Sequence, residues 1–444
     1  MSSMGRQTGP NLEGASAAAS AARPVLVDRL PLDFLHSDFV RKVSETFAAK
    51  ALTFCFGSAI SIFIARALGP SGRGTYATAL VLTALGVQFG NFGLHAANTF
   101  FIAKDRQLLR QLISNALCVS AGIGTLLAVI LVIVAKIWPA ALPLHGTELS
   151  LALAGIPLGI AYLLLQNLLL GCYQIRNYNQ IEVVNRSVNL ALLLGAGLVV
   201  VMSPSVALSI NLVAAAGGIV FCLFALSPDF RLLAPSWQLF RQTFSYGCRA
   251  YLTALFGFVV LKADLMVVAR ILGAKEAGFY SVAVNLSDMM YVLPTTIGGI
   301  LFPKLAQMTD RNEKWKQTMK VCAIVVALMV ALCIIAALAS TRLIPLLFGA
   351  SFHPSIPAFN WLLPGMVCMS LISILSAYVA SERIPWSLLW IYAVMGTTDI
   401  AINFLWLPRM GITGAAQLSS ACYFGCLIGV FLVARSIAAK RIDF

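Results

Sequence analysis

The chain has 444 residues, a formal net charge of +14 and a mean hydropathy of +0.88, with 59% hydrophobic and only 11% charged residues. Soluble globular proteins carry about 25% charged residues, so this composition excludes one and points to a polytopic membrane protein. Lys and Arg cluster in the N-terminal segment and in short loops beside apolar runs, a topology signal that needs no nucleic-acid partner. The ten cysteines lie almost wholly in apolar runs without CxxC spacing, so neither a disulfide framework nor a zinc site is indicated.

Residues 1–40 are rich in Ala, Ser, Gly and Pro and lack the apolar core of a signal peptide, which predicts a disordered tail. From Leu30 to Lys42, apolar and charged residues alternate as in a short interfacial helix. Twelve apolar runs follow, each long enough to cross a bilayer: near 46–66, 75–101, 111–137, 149–173, 181–202 and 205–227, then 247–270, 279–302, 318–340, 356–380, 386–407 and 413–434. The expected domains are an N-terminal six-helix lobe (41–227), an amphipathic connector (228–246) lying on one membrane face, a C-terminal six-helix lobe (247–435) and a short tail (436–444). Most Lys and Arg fall on the side that holds both termini, so both are expected in the cytoplasm.

The first and seventh runs end in the same sentence of residues. ARALGPSGRGTYATALVL (65–82) returns 204 positions later as ARILGAKEAGFYSVAVNL (269–286), with Ala65/Ala269, Arg66/Arg270, Leu68/Leu272, Gly69/Gly273, Gly74/Gly278, Tyr76/Tyr280, Ala79/Ala283 and Leu82/Leu286 identical. Each copy predicts a tight hairpin between two membrane helices. Gly69 and Gly273 sit where a helix end needs positive φ, and Arg66 and Arg270 sit where a cation suits the helix dipole. An even number of spans separates the copies, so the halves should be related by an axis along the membrane normal.

The hairpin ARALGPSGRGTY, FGNFGLHAANTFFIAKD at 89–105, LKADLMVVARILG at 261–273 and NFLWLPRMGITGAA at 403–416 resemble the Wzx-type polysaccharide flippases. That superfamily also holds the lipid II flippases and the multidrug and toxin extrusion antiporters. The resemblance covers roughly residues 41–435. It implies two pseudo-symmetric six-helix lobes in a V, a bacterial inner-membrane location and export of a sugar on polyprenyl diphosphate. It also implies glycosyltransferases and a polymerase as partners, and no enzymatic step by the chain itself.

Ionisable and amide side chains within spans are the candidates for that work, because each costs several kcal/mol unless it faces protein or water. Lys50, Arg186 and Arg249 lie toward the cytoplasmic side and could capture a diphosphate, as could Lys262 deeper in the seventh span. The alternatives are snorkelling for Lys50 and Arg249, a Glu182–Arg186 pair, and neutralisation of Lys262 by Asp264 or Asp399. Gln88, Asn91, His95 and Asn98 in the second span, and Asn185 and Asn189 in the fifth, form helical polar faces suited to a sugar path or to interhelical bonds. Asp264, Asp399 and Asn403 are candidates for coupling to Na⁺ or H⁺, and Asp288 with Asn285 gives the eighth span a polar face. Pro157, Pro294 and Pro364 predict bends, with Gly298 and Gly299 after the second of them.

A cation-coupled drug antiporter would favour acidic and aromatic lining, whereas basic residues in or beside these spans at least match the acidic ones. A membrane polymerase or ligase is disfavoured by the short loops and the duplication. A major-facilitator permease is disfavoured by AKDRQLLRQ, which lacks that family's loop signature.

Overall fold

The computed structural model describes the backbone of residues 32–226, 233–382 and 385–439, and their side chains except at 32–44 and 249–250. The described chain is helical throughout its length, with no strand among the described residues. Residues up to 48 form one unit and those from 49 onward a second, which contains everything discussed below. The helices are α1 (Leu32–Asn91), α2 (Leu94–Lys104), α3 (Leu109–Ile137), α4 (Gly146–Gly171), α5 (Ile175–Val199), α6 (Pro204–Leu226), α7 (Trp237–Leu272), α8 (Ala274–Gln307), α9 (Arg311–Phe348), α10 (Ser355–Glu382) and α11 (Trp386–Ala439).

Ten described helices are long and apolar enough to cross a membrane, and α1 and α11 are each long enough to cross twice. Both contain one residue that is not helical, Gly69 (φ 65°) in α1 and Gly411 (φ 61°) in α11. The chain reverses there. Arg73 Nη2 donates to Ser61 Oγ at 3.1 Å, although twelve residues of straight helix would separate them by about 18 Å. In α11 Gly425 lies against the Met395 side chain, which a straight helix would leave about 45 Å away. Each long helix is therefore a pair of antiparallel arms, and the glycine supplies a positive φ that an L-residue would resist. Gly273 (φ 86°) makes the same turn between α7 and α8.

Two apolar cores divide the chain. One gathers Ile64, Leu112, Ile113, Ile156, Leu164 and Leu193 of the first half. The other gathers Val268, Phe279, Met329, Ile374, Tyr378 and Cys426 of the second. The repeated hairpins meet each other between these cores. A Cβ on Gly74 would lie 1.7 Å from the carbonyl oxygen of Ala274, and one on Gly278 would lie 1.9 Å from that of Pro70. Residues 70 and 274 are themselves equivalent in the repeat, so the contact is reciprocal. Arg66 adds a crossing bond. Its guanidinium donates to Leu347 O at 2.7 Å and to Leu346 O, in the last turn of α9. The cap therefore serves a helix of the other half, not its own.

Three expectations need correction. The second span is not continuous to residue 101, because Phe92 (φ 45°) and Gly93 (φ 73°) break it and α2 restarts at Leu94. The connector does not end in a separate surface helix. Residues 237–246 are the first turns of α7, capped by Ser236, whose backbone is held by Asn115 through two bonds of 2.8 and 3.0 Å. Those turns pack Leu239, Phe240 and Phe244 onto the first-half core, and Phe244 and Tyr246 onto Phe92, Phe100 and Phe101. The interfacial helix expected at 30–42 likewise runs on from Leu32 into the first span, while the tail 1–31 and residues 440–444 lie outside the described residues.

Candidate functional site: a charged cavity between the halves

The first arm of α1, one face of α5 and one face of α8 enclose a cavity of about 420 Å³. Lys50 and Ser58 come from α1, Glu182 and Arg186 from α5, and Asn285, Asp288, Thr295 and Thr296 from α8. The α5 pair is presented by helical spacing, since i and i+4 share a face. No ion pair joins Glu182 to Arg186 among the described residues. Glu182 instead accepts from Gln166 Nε2 on α4 at 3.2 Å, and Arg186 stays exposed to the cavity. Lys50 is exposed beside it. Two cations from different helices therefore face one space.

A smaller chamber of about 130 Å³ continues from it, sharing Asn285 and Asp288 and adding Arg73, Lys262, Asp264 and Ser281. Lys262 is paired here. Its ammonium contacts the Asp288 carboxylate across α7 and α8, with both side chains about a third exposed. The partner is thus neither Asp264 nor Asp399, since each of those carboxylates is buried among other groups. Arg73 faces the chamber from the first turn after Gly69. It is only 5% exposed, and its Nε has no partner. Sequence reading had placed this arginine in an external loop. The repeat carried the missing signal, because the equivalent position in the second copy is Ala277.

Asp264 is 1% exposed and accepts from Tyr280 Oη at 2.6 Å and from Leu265 N at 2.7 Å, with Ser419 Oγ at 3.5 Å. Asp399, on the first arm of α11, accepts from Asn403 Nδ2 at 3.3 Å. The Asn403 oxygen is buried without a partner. These side chains place oxygens from α7, α8 and α11 inside the second half. Among the described residues no group of three or more His, Cys, Asp or Glu could hold a metal ion.

The amides separate by role. Asn91 is fully buried and holds the α1–α2 break, donating to Val87 O and Gln88 O while its oxygen accepts from Gly93 N and meets His95 Nδ1 at 2.8 Å. That break takes His95 and Asn98 off the face they were expected to share with Gln88. Asn98 is buried, Asn185 donates to Ala214 O on α6, and Asn189 is buried with an unpartnered oxygen. Gln88 alone of the six lines a further cavity, described below. The side chain of Arg249 lies outside the described residues.

With this geometry in hand, the chain can be set beside known proteins. The family described as "Polysaccharide biosynthesis protein" matches residues 63–357. A Shigella flexneri protein named "Putative O-antigen transporter" is 24% identical over 182 residues, covering 40% of this chain. The match spans 43% of that relative, less than half of its length. Among solved structures, an inward-facing multidrug resistance MATE family transporter of the MOP superfamily superposes with a TM-score of 0.68 at 15% identity, over 87% of this chain and 94% of that one. Lipid II flippase MurJ in an inward closed conformation gives 0.66 at 12% identity, over 88% and 87%. These likenesses establish the fold.

Proposed function

The chain belongs to the polysaccharide biosynthesis protein family, and on that premise we propose that it carries a polyprenyl-diphosphate-linked oligosaccharide across the bacterial inner membrane by alternating access. The observation that carries this reading is the meeting of Lys50 and Arg186 in one cavity between the halves, continuous with the chamber of Lys262 and Arg73. A diphosphate needs charge-assisted donors, which Arg supplies bidentately and Lys as a point charge. Asp288 already occupies Lys262, so an arriving anion competes with that carboxylate. Arg249 retains its assignment from sequence position, at the start of the seventh span.

No covalent step is needed, and the chain acts as a transporter, not an enzyme. The buried group of Asp264, Asp399 and Asn403 is proposed to exchange Na⁺ or H⁺ and so tie the cycle to an ion gradient. The partners are the glycosyltransferases that build the glycan on the cytoplasmic side and the polymerase that extends it outside.

The test is leaflet exposure of a polyprenyl-diphosphate sugar in liposomes containing the purified protein. Exposure is expected to depend on the protein, to respond to an imposed Na⁺ or H⁺ gradient, and to fall about tenfold or more in Arg186→Ala, given about 1.5–3 kcal/mol for a bond to a charged group. Gradient-driven uptake of a cationic dye with no exposure across several glycans would replace this reading with drug antiport.

A further inference from the structure

A third cavity, of about 500 Å³, opens among α7, α8, α10 and α11, with Gln88 reaching it from the first half. Its lining carries no ionisable acid or base other than tyrosine, in contrast to the charged spaces beside it. Two tyrosines furnish it. Tyr291 on α8 and Tyr392 on α11 line it together with Ser373 and Ser376 of α10. The two serines are three residues apart on α10, about one turn, so they present their hydroxyls on one face. Phe258 adds a further ring, and Leu261 is shared with the Arg73 chamber. The third cavity thus neighbours the charged ones, with Leu261 standing between it and the Arg73 chamber, which itself shares Asn285 and Asp288 with the first.

We propose that this cavity is the glycan subsite, receiving the first sugars of a substrate whose diphosphate lies in the charged cavity. The inference rests on the flippase reading above. Sugars are neutral, rich in hydroxyls and apolar on their ring faces. Hydroxyl and amide groups that both donate and accept suit the first property, and flat phenol and phenyl rings suit the second. The volume lies in the range of small-molecule pockets, large enough for more than one ring. Lipid headgroups of the bilayer bring charge and suit this neutral lining poorly.

The experiment measures binding of purified protein in detergent to undecaprenyl diphosphate, and to the same carrier bearing one, two or three hexose or N-acetylhexosamine residues. The wild type is expected to bind at least one glycosylated carrier about tenfold more tightly than the bare carrier. Tyr392→Ala and Ser376→Trp, the second filling the cavity, are expected to erase that increment while bare-carrier binding stays unchanged. Tyr392→Phe, which removes only the hydroxyl, retains the fold if either variant fails to, and is expected to reduce the increment about threefold. An increment of the same size in all folded variants, or no increment with any glycan in the wild type, overturns the subsite. Failure of the wild type to bind any carrier, bare or glycosylated, instead overturns the flippase reading.

Discussion

The two halves share a backbone plan but not a polar load. At the hairpins they share eight of eighteen positions, among them glycine at 69 and 273 and at 74 and 278, and tyrosine at 76 and 280. One turn away they part. Tyr280 donates to Asp264, whereas the position equivalent to Asp264 is Ile60, buried near a Tyr76 that has no such carboxylate to bind. Conversely, the first half buries Arg73 where the second has Ala277. Lys50, Arg73 and Arg186 come from one half, and Asp264, Asp288 and Asp399 from the other. The repeated frame is kept while the polar load differs, with most of the cations of these cavities from the first half and most of the carboxylates from the second, Glu182 and Lys262 being the exceptions.

The strongest way to break this comparison is to attack what the halves share. Gly74→Val places side-chain atoms on the Ala274 carbonyl, and a cost of about 3 kcal/mol or more with loss of transport is expected. Thermal unfolding in detergent measures it, with Gly299→Ala as control, since nothing lies within 4 Å of that position. Unchanged stability in Gly74→Val would mean the hairpins do not meet as described. Next, Ile60→Asp installs in the first half the carboxylate of the second. A loss of about 3 kcal/mol is expected, because a carboxylate buried in a span is costly and the hydroxyl that Ser419 offers Asp264 comes from α11 of the other half, with Ile60→Asn costing less. Full tolerance of Ile60→Asp would show that the polar division between halves is accidental.

Smaller effects sharpen the picture. Arg66→Ala removes two bonds to the end of α9 and should lower stability by about 1 kcal/mol, while Arg270→Ala should cost only a few tenths. Equal shifts in the unfolding midpoint would erase that asymmetry. Smallest of all, a double-mutant cycle on Lys262→Ala and Asp288→Asn should return a coupling under about 1 kcal/mol, because both partners are about a third exposed. A much larger coupling would mean the chamber is drier than its geometry indicates.

How much of this was legible in the sequence depends on distance along the chain. The glycine turns and the succession of apolar helices follow from local rules, and Gly69 and Gly273 take the positive φ that their place after Arg-x-Leu demands. The charged cavity was half legible: Lys50 and Arg186 stood out as ionisable groups within apolar runs, but nothing in the spacing brings α1 beside α5. Asn91 misled, because an amide on a helical face looks the same whether it meets a substrate or holds a break at the next two residues. Arg73 misled because the chain re-enters the helix directly after Gly69, so a residue counted as loop is buried. Tyr291, Ser373, Ser376 and Tyr392 meet at one cavity from three helices, and hydroxyls in apolar helices carry no periodic signal that separates them from ordinary packing.

The glycine contact on the axis has a consequence for descent. Had each half once been a separate chain pairing with its own copy, that contact would have set residue 74 of each copy against residue 70 of the other, and one side chain there would have struck twice. In a single chain the two positions have independent codons without independent space. The rest of each half was released to drift, as Ile60 and Asp264 record, while residues 74 and 278 remain answerable to one another.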